Sequence, residues 1–509
     1  MFYFPIPEKN KKSKTEYNCE RCKLIDKKQM MQDAYIGKNY NGLVIVAQSP
    51  SKEDFNKNMP LSNEKAIPIR SILFKNKINI AKDVAITYAI KCVKSKPKDM
   101  QYKCCIPFLH NTLKNLKPKL IICLGDMTFK SIINSKSKGG ITQLRNRIIP
   151  NHEFNCLIFP VYNPNDIGWP YQKYALQQDL VRISKKWHQE FYKRTVVNKI
   201  LEERKILKDI TINEIKTTNE IKRAFNLIHQ LKIVSLDYEA TNTKPYDHWF
   251  EMTHIGISTA STAWVFHESL WLNNPENDQL IKNSMIRLLT NPNVLKIIQN
   301  AKFEDLVSRY IYGIKQIENT FCTMLATHVI DERRGCTGLD FQNLVRFGIP
   351  PYSDTVKSFL KKKDKNDKIN TIRKAPHDDM ILYSGLDVIT AYHNYLVLSN
   401  VLLPVSYEQA QSNYEFLAKG HWLFANMSQR GIPINRNILN QFTTIIDSNI
   451  ETITKKIIDD PKVSEYNNYL FEKSYETKKS DKVLKQLIKQ TKKSKKSKRI
   501  KLIGRKITI

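Results

Sequence analysis

The middle of the chain contains the stretch Ile233-Val234-Ser235-Leu236-Asp237-Tyr238-Glu239. Its short apolar run predicts a buried β-strand that ends in two acidic residues. Because side chains alternate along a strand, Asp237 and Glu239 are expected on the same face. Two adjacent carboxylates repel each other, and a divalent cation held by oxygen ligands is a natural counter-charge. Such a pair also arises by chance at strand ends, so the metal-site hypothesis depends on further acidic residues downstream.

Further acidic residues follow in a fixed order along the chain. Asn300 opens a predicted helix that carries the adjacent acids Glu304 and Asp305. A later helical stretch carries Tyr383 and Asp387, and residues four apart share one face of a helix. Each of these patterns alone is weak, but the ordered set is much more specific.

This ordered set resembles the DEDDy 3'–5' exonucleases, specifically the proofreading domain of family A DNA polymerases, over residues 211–400. The resemblance implies a ribonuclease H-like α/β fold that hydrolyses DNA from its 3' end by a two-metal mechanism. It also implies the catalytic residues Asp237, Glu239, Glu304, Tyr383 and Asp387.

The resemblance assigns roles within this set. Asp237, Glu239 and Asp387 would bind two divalent ions, Mg²⁺ or Mn²⁺, because carboxylate oxygens suit such cations. The tyrosine would orient the attacking water, and Asn300 would support the fold or the substrate strand. The register favours Glu304 as the acid of the second motif, with Asp305 as the alternative.

The N-terminal part of the chain combines cysteines with predicted strands. Cys19 and Cys22 form a Cys-x-x-Cys pair, Cys92 follows a predicted strand, and the adjacent Cys104 and Cys105 precede a helix predicted from Pro107 to Leu116. Four such cysteines suit zinc or an iron–sulfur cluster, although scattered buried thiols are common. Strands that alternate with helices predict an α/β domain with a largely parallel sheet.

Residues 17–180 resemble the iron–sulfur uracil-DNA glycosylases, on the matches Lys91-Cys92, Cys105-Ile106-Pro107-Phe108-Leu109 and Lys117-Pro118 through Leu124-Gly125. The resemblance implies a three-layer α/β domain with a [4Fe-4S] cluster. Its implied ligands are Cys19, Cys22, Cys92 and Cys105, and Cys104 is the rival for the fourth place.

The expected glycosylase site departs from the family pattern at four positions. Gln48 stands where the family often has an acid, and Leu61 stands where an aromatic ring would stack on uracil. Tyr88 replaces an asparagine, and Asn163 replaces a histidine. Because a base-flipping pocket needs both stacking and hydrogen bonds to the base edge, we expect DNA binding or an architectural role without uracil excision.

The C-terminal part resembles the start of a family A polymerase domain at Trp422-Leu423-Phe424 through Met427-Ser428-Gln429-Arg430-Gly431-Ile432-Pro433-Ile434. No palm or fingers motif follows, so a separately encoded polymerase subunit is an expected partner. A helical, basic segment is expected to end the chain, with the run 492–499 as a disordered polycationic tail or a truncated thumb. The expected domains are 1–190 (glycosylase-like), 191–210 (connector), 211–400 (exonuclease), 401–460 (polymerase-like start) and 461–509 (basic tail).

The composition agrees with a nucleic-acid partner. The formal net charge is +33, from 82 Lys+Arg against 49 Asp+Glu, and such an excess favours polyanions. An AT-rich genome, as in some phages, would also enrich lysine. No apolar stretch approaches the roughly 20 residues that span a bilayer, so we expect a protein of the bacterial or phage-infected host cytoplasm. The resemblance to the exonucleases implies single-stranded 3' ends of DNA as its partner. The alternatives are a uracil-DNA glycosylase in base-excision repair and a non-catalytic replisome component.

Overall fold

The structure, a computed structural model, describes residues 22, 34–94, 97–135, 139–362, 364, 366–402 and 408–476. The described residues up to Gln429 belong to one compact unit, and those from Arg430 onward belong to a second. The first unit contains two six-stranded sheets with helices packed against them. None of the helices in the described ranges has the length and apolar character needed to cross a membrane.

The first sheet has the strand order β1-β3-β2-β4-β6-β5. Its strands are β1 (Tyr35–Ile36), β2 (Leu43–Ala47), β3 (Ala85–Tyr88), β4 (Leu120–Leu124), β5 (Ile149–Asn151) and β6 (Cys156–Val161). The accompanying helices are α1 (Lys52–Asn56), α2 (Ile67–Lys75), α3 (Asp99–Leu116), α4 (Asp126–Ile133), α5 (Ile141–Leu144), α6 (Pro170–Lys186) and α7 (Arg194–Glu203).

The inner strands β2, β3, β4 and β6 are parallel, as predicted, and the edge strands β1 and β5 run antiparallel. The inner strands are buried along their whole length because helices cover both faces of the sheet. The predicted helix start at Pro107 is wrong, since α3 begins at Asp99 and contains Pro107 in its interior. Part of the predicted connector also packs here, because α7 buries Val197 and Leu201 in the first core.

The second sheet has the strand order β12-β11-β8-β9-β10-β7. Its strands are β7 (Thr211–Ile215), β8 (Ile233–Ala240), β9 (Met252–Ser258), β10 (Thr262–His267), β11 (Leu295–Ile298) and β12 (Thr320–Cys322). The helices of this part are α8 (Thr218–Ile228), α9 (Pro275–Leu289), α10 (Ala301–Tyr312), α11 (Thr323–Ile330), α12 (Leu339–Phe347), α13 (His377–Leu402) and α14 (Glu408–Arg430).

Helix α13 lies close against the second sheet because β9 carries a glycine at the contact. A Cβ atom on Gly256 would stand 3.0 Å from both Ser384 Oγ and Val388 Cγ1. Gly256 is also the register partner of Asp237 on β8. The close approach therefore brings the turn of α13 that contains Asp387 next to the end of β8.

The second unit contains α15 (Arg436–Ile458) and the helical residues 461–476. None of the residues of α15 is buried, and its apolar side chains, such as Phe442 and Ile450, are exposed. The basic run 492–499 lies outside the described residues.

Candidate functional site

A cavity of about 280 Å³ lies where β8 and α13 meet. Its lining residues are Leu236, Asp237, Tyr238, Glu239, Gln299, Asn300, Phe303, Glu304, Leu339, Tyr383, Asp387 and Ala391. Four of these residues are acidic, and none of the described lining residues is a lysine, arginine or histidine. The cavity therefore concentrates negative charge without a basic partner.

Strand β8 places Asp237 and Glu239 two residues apart, on the same face of the strand. Helix α13 supplies Asp387 from the opposite side of the cavity. Carboxylate oxygens of these three residues all lie within 4.8 Å of one another. Oxygen atoms at this spacing can coordinate one shared divalent cation.

The adjacent acids of α10 are directed to different surroundings. The Glu304 carboxyl lies within hydrogen-bonding reach of Asp237 and lines the cavity. Asp305 is fully buried elsewhere, with Oδ2 2.6 Å from Arg309 Nε and Oδ1 accepting a hydrogen bond from the Ile317 N–H at 2.9 Å. Asp305 is therefore part of an internal ion pair, and Glu304 is the acid in the cavity.

Tyr383 and Asp387 lie one turn apart on α13, and both line the cavity. The Tyr383 hydroxyl hydrogen-bonds to the Asp387 carboxylate. A second tyrosine, Tyr352, donates a hydrogen bond to Asp387 Oδ1 at 2.5 Å. The sequence does not mark Tyr352 as a functional residue, because it lies in a loop without a repeating pattern.

Asn300 lines the cavity at the residue just before α10. Its backbone φ of 141° is a conformation that side-chain-bearing residues rarely adopt, and its side chain makes no capping hydrogen bond to the helix. The strained backbone thus holds Asn300 at the rim of the carboxylate cluster.

Burial and mutual repulsion weaken the acidity of the cluster. Burial raises the pKa of Asp237 to about 7. Burial first, and then the neighbouring carboxylates, raise the pKa of Glu239, Glu304 and Asp387 well above the ordinary value. The buried Glu304 Oε2 atom has no hydrogen-bond partner. Excess acidic oxygens with one left unpaired fit the binding of divalent cations.

The cysteines of the first sheet gather in one core cluster. Cys22 and Cys105 are buried in it, and Cys92 and Cys104 are half-buried against it. Cys19 lies outside the described residues. The structure thus brings both candidates for the fourth ligand position, Cys104 and Cys105, to the same core.

The polar groups at the carboxyl edge of the first sheet bond to one another. Gln48 donates to the Tyr102 hydroxyl at 2.6 Å, and Asn163 donates to Gln48 Oε1 at 2.8 Å. The groups that could bind a base edge are therefore engaged within the protein.

Tyr88 fills the adjoining position at the end of β3. Its hydroxyl donates to Asp54 Oδ2 at 3.0 Å and accepts from the Leu61 N–H at 3.2 Å. Leu61 has a φ of 53°, a strained conformation for a bulky residue. All three residues are buried, so their hydrogen bonds are satisfied within the protein.

Comparison with known proteins identifies both parts of the first unit. Residues 212–403 match the family model of a 3'–5' exonuclease, and residues 36–188 match that of the uracil DNA glycosylase superfamily. The chain therefore carries a glycosylase-like domain followed by a 3'–5' exonuclease domain. The predicted order of domains and the predicted fold class are confirmed.

Individual proteins are similar at low identity. The type-4 uracil-DNA glycosylase of Sulfurisphaera tokodaii is 24% identical over 177 residues, which cover 33% of this chain and 79% of the relative. The solved structure of Brucella melitensis NrnC is 18% identical over 44% of this chain and 96% of its own, with a TM-score of 0.31. Escherichia coli RNase D is 13% identical over 40% of this chain and 49% of its own, with a TM-score of 0.30.

We expect Asp237→Asn to stabilise the metal-free protein at pH 8 by on the order of 2 kcal/mol, because it removes a carboxylate whose charged form is disfavoured by burial. The folded-state pKa of Asp237, about 7, lies above its unfolded value. At pH values between these two pKa values, the folded protein therefore binds more protons than the unfolded chain. Stability of the unmodified chain should therefore fall as pH rises through this window. Urea unfolding in EDTA at pH 4 and pH 8 measures the difference in the free energy of unfolding between the variant and the unmodified chain. This difference should nearly vanish at pH 4.

The matched control is Asp354→Asn, which changes an exposed aspartate outside the cavity. We expect it to change stability equally at both pH values. An Asp237→Asn variant that is less stable than the unmodified chain at pH 8 would contradict the electrostatic interpretation.

Proposed function

We propose that this protein is a metal-dependent 3'–5' exonuclease that hydrolyses DNA from the 3' end. We propose further that it proofreads in DNA replication. One observation carries the proposal: Asp237, Glu239 and Asp387 converge within 4.8 Å inside the region that matches the exonuclease family. Glu304 and Tyr383 line the same cavity.

Asp237, Glu239 and Asp387 would hold two Mg²⁺ or Mn²⁺ ions, which when bound activate water and stabilise the leaving 3'-oxygen. Tyr383 remains a neutral hydrogen-bond donor, because burial and the nearby carboxylates raise its pKa well above the ordinary value. It therefore orients the attacking water and does not act as the base. Glu304 adds a fourth acidic side chain beside Asp237.

The cavity suits the end of a single strand. A volume of about 280 Å³ is at the lower limit of small-ligand sites, so it admits about one nucleotide and excludes a duplex. Asn300 and Phe303 line the entrance side from the start of α10 and would contact the terminal nucleotide. The net charge of +33 favours attraction to the phosphate backbone.

The partners follow from the same proposal. Single-stranded 3' ends of DNA are the substrate, and a separate polymerase subunit would supply the synthesis site. The polymerase-like segment that begins at Trp422 supports this arrangement. The proposed setting is the cytoplasm of a bacterium or of a phage-infected host cell.

We expect the purified chain to shorten a 5'-labelled single-stranded DNA oligonucleotide stepwise in Mg²⁺ or Mn²⁺, and EDTA to stop the reaction. Asp237→Ala should lower the rate at least about 100-fold, because it removes a metal ligand. Gel electrophoresis of the labelled products measures both effects. Asp354→Asn is the control variant and should retain the full rate.

Two further substrates test at which end degradation begins and whether DNA or RNA is preferred. An oligonucleotide with a phosphorothioate at its 3' terminus should resist degradation, because degradation begins at that terminus. An RNA of the same sequence should be degraded more slowly than the DNA. Degradation of RNA alone would refute the DNA substrate, and the absence of metal-dependent degradation would refute the nuclease function.

We also propose that the glycosylase-like domain binds DNA without excising uracil. The hydrogen bonds among Tyr88, Asp54 and Leu61 support this proposal, because they engage Tyr88 and Leu61, the residues that the resemblance aligns with base-contacting positions. A base would have to displace buried partners that are already satisfied, and breaking such buried hydrogen bonds is costly.

The expected outcome is therefore no release of free uracil from a duplex that contains one U·G pair. Chromatography of the free base measures it, and an active uracil-DNA glycosylase on the same duplex is the positive control. Efficient release by the purified chain would contradict this proposal and would restore the repair function as the better proposal.

A [4Fe-4S] cluster is the proposed cofactor of this domain. The donor chemistry fits, because Cys22 and Cys105 belong to one core cluster, Cys92 packs against it, and thiolates are the usual ligands of iron–sulfur clusters. Cys19 would complete the set, and the half-buried Cys104 remains the alternative to Cys105.

Protein purified without oxygen should be brown and contain about four iron atoms per chain. Cys105→Ser should lose most of the iron and the colour, and Cys104→Ser should keep them. Absorption spectra and iron analysis measure both. A colourless protein with stoichiometric zinc would contradict the cluster, and the reverse result for the two variants would assign Cys104 as the ligand.

A further inference from the structure

Helix α12 of the exonuclease domain buries one face in the glycosylase-like domain. Phe341, Leu344 and Val345 belong to the same core cluster as strands β2 and β4 of the first sheet. Gly139 approaches so closely that a Cβ atom there would stand 2.6 Å from Phe341 Cε2. The two domains therefore share part of one core at this helix.

Charged side chains lie beside the contact between α12 and the glycosylase-like domain. Arg147 of the glycosylase-like domain forms an ion pair with Asp331 and lies over the Phe341 ring at 5.2 Å. Arg333 also pairs with Asp331 at 2.7 Å and donates to the Thr142 carbonyl at 2.9 Å. An arginine from each domain thus binds the same aspartate, which precedes α12 in the chain.

The end of α12 is held by backbone contacts. Gly348 has a φ of 70°, and a Cβ atom there would stand 2.2 Å from the Pro150 carbonyl oxygen of β5. The His152 ring nitrogen Nε2 lies 2.8 Å from the Phe347 carbonyl oxygen. The helix therefore cannot shift along its axis without moving edge strand β5.

The other face of α12 is bonded to α13. Asn343 donates to Thr390 Oγ1 at 3.0 Å and accepts from Asn394 Nδ2 at 2.8 Å. Arg346 donates to Asn394 Oδ1 at 2.6 Å. Asn343, Thr390 and Asn394 are almost fully buried, so breaking this network would leave buried polar groups without partners.

Tyr352 connects this network to the carboxylate cluster. Its hydroxyl donates to Asp387 Oδ1 at 2.5 Å, lies 3.2 Å from Thr390 Oγ1 and accepts from Asn343 Nδ2 at 3.4 Å. The hydroxyl therefore stands between the helix that contacts the other domain and a carboxylate of the cavity.

We propose that Tyr352 is a positioning residue for Asp387, and that the glycosylase-like domain holds it in place through α12. In this proposal the glycosylase-like domain acts as a brace for the nuclease site. The inference rests on the proposed function, because it treats Asp387 as a metal ligand. Partners of a metal ligand that orient it commonly change metal affinity or activity 10–100-fold when removed.

The test measures Mn²⁺ affinity by electron paramagnetic resonance in the full-length chain, together with kcat and KM on single-stranded DNA. Tyr352→Phe should weaken Mn²⁺ binding about tenfold and lower kcat with KM unchanged. Arg147→Gln, a substitution in the glycosylase-like domain, should also weaken Mn²⁺ binding, by about threefold. Arg147→Lys keeps the charge and should recover most of the affinity.

Matched controls separate positioning from general loss of stability. Tyr310→Phe removes the hydroxyl of an exposed tyrosine, and Arg182→Gln changes an arginine of the glycosylase-like domain whose hydrogen bonds, within the described residues, are to Asn146. Both should bind Mn²⁺ like the unmodified chain. Thermal unfolding should show that Tyr352→Phe and Arg147→Gln remain folded at the assay temperature.

The outcomes are distinguishable from failure of the nuclease proposal. Normal Mn²⁺ affinity in Tyr352→Phe would refute the role of Tyr352, and normal affinity in Arg147→Gln would refute the brace. An unmodified chain that binds Mn²⁺ but does not degrade DNA would refute the proposed function while the affinities still decide this inference. An unmodified chain that binds no Mn²⁺ would overturn both.

Discussion

Repulsion among four acidic side chains in one cavity is the constraint that the exonuclease domain must satisfy. Asp237, Glu239, Glu304 and Asp387 face one another without a basic side chain among the described lining residues. Flexible supports would let such groups separate, so each is placed on a buried strand or a packed helix. The close contact of α13 with Gly256 on β9 is one part of this support. The folded chain thereby stores unfavourable electrostatic energy that a bound cation would relieve.

The polar groups of the exonuclease cavity and those at the carboxyl edge of the first sheet differ in their hydrogen bonding. In the exonuclease cavity, Glu304 Oε2 is buried without a partner, and the neighbouring acids have raised pKa values. At the carboxyl edge of the first sheet, Tyr88 and Asn163 are satisfied by other protein groups. Unsatisfied buried groups indicate a site built for a ligand, whereas satisfied ones indicate a closed structure. This contrast supports assigning the chemistry to the second domain.

Helix α12 connects the first domain with the exonuclease domain. The helix shares a core with the first sheet through Phe341 and a buried polar network with α13 through Asn343. Packed interiors transmit displacement because they contain little free volume. A single helix between two cores can therefore hold Asp387 at the orientation that a metal ion requires.

Local periodicity was enough to place Asp237 beside Glu239 and Tyr383 beside Asp387, because the alternation of a strand and the turn of a helix depend only on neighbouring residues. Periodicity could not choose between Glu304 and Asp305. Adjacent helical residues point about 100° apart, and only the packing of α10 decides which of them faces the cavity. Tyr352 could not be predicted for a similar reason, since its contact with Asp387 joins a loop to a helix 35 residues later. The sequence alone determined the domain types and the order of the acids, and the tertiary structure decided which side chains meet.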